Sequence, residues 1–142
     1  MSADRDIAQF IDAIGAEEPS PDSQTYAQWK NLFKRSNYFR LNGKLMIVKI
    51  SRTKPPFWGV GKKFLDFFNA FMDDYYLVLL VSSREGWVFT KSEITARIRK
   101  RLWNLGADND YKINYPLPDS NSFFSPQNFL KKLGFSDEYQ SV

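Results

Sequence analysis

Ile7, Phe10, Ile11 and Ile14 recur at the spacing of one helical face and Gly15 follows as a stop, so the pattern predicts an amphipathic helix over residues 4–14. After a loop with two prolines, Tyr26, Trp29, Leu32 and Phe33 share another face and predict a short helix over 25–34 whose opposite side is basic. Two strand-like runs, 38–41 and 44–50, flank Asn42-Gly43, the dipeptide that favours a tight hairpin turn. Pro55 and Pro56 end the second strand, and residues 57–60 read as an extended segment or a short edge strand.

Over residues 62–72, Phe64, Leu65, Phe67, Phe68 and Phe71 cover most of the circumference of a helix, which predicts that it is well buried. Residues 75–81 are apolar without alternation, the pattern of a central strand covered on both faces. A short strand at 87–89 follows the Glu85-Gly86 turn, and a helix over 92–102 places Ile94, Ile98 and Leu102 inward. An extended piece at 111–113, a proline-rich loop and a helix over 126–133 closed by Gly134 complete the chain. The order predicts one α/β domain over residues 1–142, mixed α+β, with a small mixed central sheet flanked by helices. It divides into N-terminal helices at 4–34, a core of hairpin, helix and strands at 36–90, and a basic helix and tail at 92–142.

Thirteen Phe, 7 Tyr and 4 Trp supply enough flat apolar surface for a packed core at this length. The chain has no Cys and no His, which excludes disulfides, thiolate zinc sites, Ser-His-Asp and Cys-His nucleophiles, and histidine general bases. Chemistry is left to Asp, Glu, Lys, Arg, Tyr, Ser and Thr. The longest apolar run, 75–81, falls far short of the ~20 residues of a membrane helix, and no basic region precedes an apolar leader. The expectation is a soluble, intracellular, cytoplasmic protein with no membrane partner.

Charge alters this picture more than composition does. Residues 23–65 hold ten Lys and Arg and no Asp or Glu, although the whole chain is at +4. Interleaved with Trp29, Phe33, Tyr38, Phe39, Phe57 and Trp58, they imply a positive face built to meet an anion, nucleic acid first. Lys44, Arg52 and Lys54 lie close enough in sequence to share a phosphate-binding face, and Trp58, Tyr38 and Phe57 are candidates for stacking on unpaired bases. The plain alternative for those aromatics is a core. Gly59-Val60-Gly61-Lys62-Lys63 is not a P-loop, since Pro56 replaces a required glycine and Lys63 a required Ser or Thr. Lys62 and Lys63 beside a helix start can still hold one phosphate, or simply mark helix entry. Arg97, Arg99, Lys100 and Arg101 form a second basic cluster, whose plain reading is a solvated helix face.

Ile47-Val48-Lys49-Ile50-Ser51-Arg52, then Phe57-Trp58-Gly59-Val60 and the helix and strand that follow, resemble the core of the PD-(D/E)XK, or restriction-endonuclease-like, superfamily over about residues 36–95. The resemblance implies a DNA partner, a catalytic role for Lys49, Mg²⁺ as the cofactor if the chain is catalytic, and a homodimer. Ile47 stands where the family has an acid two residues before the lysine, and Asn37 is the nearest polar residue to the other acid's place. Mg²⁺ needs oxygen ligands, so a working centre requires relocated acids: Asp66 as a catalytic and metal candidate, Glu17 and Glu18 as metal candidates, and Glu93 after them. The expected function is nucleic-acid binding, of DNA, with the cleavage centre lost or rebuilt. Two alternatives stay open: an active Mg²⁺-dependent endonuclease, and an interaction or inhibitor protein that binds an acidic protein.

Overall fold

The computed structural model describes residues 2–17 and 38–135, so the helix predicted over 25–34, Asn37 and Glu18 lie outside the described residues. Helix α1 (Ser2–Ile14) precedes the hairpin of β1 (Tyr38–Leu41) and β2 (Lys44–Ile50). Asn42 (φ 49°) and Gly43 (φ 80°) both take the left-handed conformation that the tight turn between those strands requires. There follow β3 (Phe57–Gly61), α2 (Lys62–Phe71), β4 (Tyr75–Leu80), β5 (Gly86–Thr90) and α3 (Lys91–Arg99). Strands β6 (Asn104–Leu105) and β7 (Asp110–Asn114), a 3₁₀ turn (Asp119–Asn121), β8 (Ser122–Phe123) and α4 (Pro126–Lys132) complete the order.

The fold is mixed α/β. Among the described residues, a five-stranded sheet runs β1-β2-β4-β5-β8 and a three-stranded sheet runs β3-β7-β6. In the larger sheet β2 and β4 are parallel, from Leu45 opposite Tyr75 to Ile50 opposite Leu80, while its other pairs are antiparallel. A parallel pair needs a crossover, and β3 with α2 supplies it. The extended segment expected at 57–60 is therefore a strand of the second sheet, antiparallel to β7, with Phe57 opposite Asn114 and Gly61 opposite Asp110.

Alternation along β2 and β4 divides the core between two faces. Met46, Val48, Tyr76, Val78 and Leu80 pack with Ile7, Phe10, Ile11 and Ile14 of α1 and Phe129 of α4. Leu45, Ile47, Tyr75, Leu77 and Leu79 pack with Trp58 and Ile113 of the second sheet, with Phe64, Leu65 and Phe68 of α2, and with Ile94 and Trp103. All six residues of β4 are buried, as the unbroken apolar run requires. Helix α2 is more amphipathic than expected: Lys63, Asp66, Asn69 and Ala70 are exposed.

The helix expected to reach residue 102 stops at Arg99, and Arg101 adopts φ 62°. That reversal turns Trp103 into the core at 2% exposure and leaves Leu102, expected inward, 55% exposed. No helix among the described residues is long and apolar enough to cross a membrane.

Candidate nucleic-acid interface

The acid-free stretch meets acids from other parts of the fold. Lys44 Nζ lies 3.1 Å from Asp74, Arg52 lies 2.6 Å from Asp6, and Lys62 lies 2.6 Å from Asp66 one helical turn on. Hydrogen bonds to Asp74 and Asp66 raise the pKa values of Lys44 and Lys62 above the usual lysine value. These surface pairs are worth little in stability, but each reduces the charge offered to a ligand. Lys54 and Lys63 are exposed and enter no ion pair among the described residues. Arg99, Lys100 and Arg101 are exposed as well.

Lys49 is not an outward strand residue. It follows Leu45 and Ile47 onto the face covered by α2 and the second sheet, and its Nζ sits 5.6 Å from the centre of the Phe64 ring. Burial pushes its pKa below the usual lysine value, and the charge of Asp110 opposes that shift. Asp110 thus occupies the neighbourhood in which the sequence suggested Asp66. Its carboxylate rests against β3, with Oδ2 and Oδ1 at 3.4 and 3.6 Å from where Cβ atoms of Gly59 and Gly61 would stand. Those glycines make room for an acid instead of cradling a phosphate.

The described members of the proposed metal set, Asp66, Glu17 and Glu93, do not assemble around Lys49. Asp66 is exposed and bonded to Lys62. Glu17 is bound through its backbone to Arg40 on β1, at 2.8 and 2.7 Å, and the register partner of Arg40 is Leu45, four residues before Lys49 on β2. Glu93 closes a capping box with Thr90 and accepts a hydrogen bond from Asn121 at 3.0 Å. Among the described residues no group of three or more Asp, Glu, His or Cys could hold a metal ion.

Trp58 cannot stack on a base. It is 2% exposed, and its indole N–H donates to the Leu80 carbonyl at 3.0 Å. Tyr38 packs against the same core. Phe57, on the opposite side of β3 from Trp58, is partly exposed with Lys112 Nζ 5.9 Å from its ring centre.

A groove of about 560 Å³ runs between the loop at 51–56, β5 and the end of β7, lined by Ser51, Arg52, Lys54, Pro56, Trp87 and Tyr115. Ser51 shapes it from below: its N–H donates to the Leu80 carbonyl at 2.9 Å, and its Oγ accepts the N–H groups of Thr53 and Phe57 at 3.3 and 3.0 Å. Across the groove, Tyr115 N–H donates to the Pro56 carbonyl at 3.3 Å, and the Lys54-Pro55 and Tyr115-Pro116 peptides are both cis. Trp58, Trp87 and Tyr115 form an aromatic ladder from core to surface, with edge-on contacts at 5.7 and 5.8 Å. Tyr115 ends it 48% exposed. Tyr115 is not among the sequence candidates, although its position beside Pro116, like that of Lys54 beside Pro55, is a turn signal.

The second basic cluster is split by the fold. Arg97 is partly buried, its guanidinium 5.6 Å from the Phe89 ring centre and 5.3 Å from that of Trp103. The groove at 51–56 and the cavity beside Arg97 are lined by different residues. Comparison of the chain with protein-family models, curated proteins and solved structures finds no match.

Proposed function

We propose that the chain binds nucleic acid through the groove between residues 51–56 and Tyr115, with DNA as the form implied by the resemblance to restriction-endonuclease-like proteins. The observation that carries this reading is the meeting of Lys54, Arg52 and the exposed Tyr115 ring along one groove. Cations there meet phosphates, which set affinity and register. Tyr115 is braced edge-on by Trp87 and offers a surface to a base, a contact worth about 1–3 kcal/mol where the base is unpaired. Because Arg52 also holds Asp6 of α1, Lys54 is the cation whose replacement perturbs the fold least.

The reading predicts that Lys54→Glu and Tyr115→Ala each weaken oligonucleotide binding by roughly tenfold, whereas Lys131→Glu on α4, with the same charge change as Lys54→Glu, has a much smaller effect. Fluorescence anisotropy with labelled oligonucleotides measures all three. If Lys54→Glu and Tyr115→Ala bind like Lys131→Glu, the groove is not the interface. If no oligonucleotide binds and an acidic protein does, the interaction-protein alternative replaces this one.

A further inference from the structure

Arg97 has five N–H donors and, among the described residues, neither a hydrogen-bond acceptor nor an ion pair. The geometry around it is built. Phe89 and Trp103 meet edge to face at 5.0 Å and 80°, and the guanidinium sits against both rings. Glu93, one turn earlier on α3, acts on Arg97 through its charge but makes no ion pair with it, since Oε1 accepts the Thr90 N–H at 2.9 Å and Oε2 the Asn121 side-chain N–H at 3.0 Å. Two buried donors near this point, Arg97 Nε and Trp103 Nε1, have no acceptor among the described residues. Buried N–H groups left unpaired are costly and rare in folded proteins. Beside Arg97 lies a cavity of about 190 Å³, lined by Phe89, Glu93, Arg97, Lys100 and Asn121 among others, with the Trp103 ring behind the Arg97 guanidinium.

We propose that this cavity is a binding site for a phosphate group, with Arg97 as its principal donor and Lys100 as a second cation. A phosphate monoester carries close to two negative charges at neutral pH and three acceptor oxygens, which suits the Arg97 fork and the Lys100 ammonium better than a carboxylate does, and Glu93, which also lines the cavity, already has an N–H donor on each oxygen. Its source is either a free phosphate compound or the terminal phosphate of a polynucleotide. The site stands apart from the groove at Tyr115 and does not depend on it.

Nuclear magnetic resonance of the ¹⁵N-labelled full chain reads the site through the Arg97 Nε–H and, behind it, the indole N–H of Trp103, whose ring packs against the Arg97 guanidinium. Inorganic phosphate is expected to shift both signals saturably. Arg97→Lys, which keeps the charge over the rings but loses the fork, should weaken binding roughly tenfold, and Arg99→Lys should leave it unchanged. A 5′-phosphorylated dinucleotide that binds more tightly than inorganic phosphate, while its 5′-hydroxyl counterpart does not bind, assigns the site to polynucleotide ends. Equal binding of inorganic phosphate and the phosphorylated dinucleotide assigns it to free phosphate compounds. The proposal is overturned if neither signal moves in the wild-type chain, or if Arg99→Lys weakens binding as much as Arg97→Lys.

Discussion

Lys49 holds a positive charge on the core side of β2, with an aromatic ring nearby and a carboxylate that compensates only in part. Burial lowers its pKa, so folding disfavours the charged amine. The penalty is complete below the folded-state pKa and fades as pH rises through that value toward the unfolded-state value of about 10.4. Lys49→Met is therefore expected to raise stability at neutral pH by on the order of 1 kcal/mol, with the gain shrinking in alkaline buffer. Urea denaturation in the two buffers measures this, and unchanged or lower stability at neutral pH contradicts the assignment of Lys49 as a desolvated charge. The sequence marks Lys49 for attention but not Asp110, because the two come together only when β3 and β7 pair. Trp58 carries the reverse lesson. An aromatic beside cations looks available to a ligand until β3 alternation turns it into the core.

Elements with a local code were legible from the chain. Asn42-Gly43 sets the hairpin and the apolar run sets β4, while the start of α3, expected at residue 92, is fixed at Lys91 by a reciprocal capping box between Thr90 and Glu93. Thr90→Ala removes the side-chain acceptor for the Glu93 N–H and is expected to cost about 1 kcal/mol, readable as a lower thermal midpoint with the fold retained. No loss of stability would mean that the Glu93 carboxylate, through the residue-90 N–H and Asn121, fixes that end of the helix without the hydroxyl. The far end of α3 was not legible, because helical spacing continues to Leu102 while the chain turns back at Arg101. Strands β6 and β8 span two residues each and carry no periodicity to read.

At the scale of the whole molecule, the fold class follows from element order, but the separation into two sheets follows from the long-range pairing of β3 with β7. The same folding redistributes charge. Acids at Asp6, Asp66 and Asp74 pair with three cations of the acid-free stretch, Arg52 among them, so the proposed interface is narrower than the sequence implies and rests on Lys54 and Tyr115. The most direct test of nucleic-acid binding is anisotropy of labelled duplex and single-stranded DNA and RNA with the wild-type chain across a salt series in EDTA. The account predicts a linear fall of log affinity with log salt, with a slope of about −0.7 to −0.9 per phosphate contacted. No binding to any oligonucleotide at low salt would contradict it.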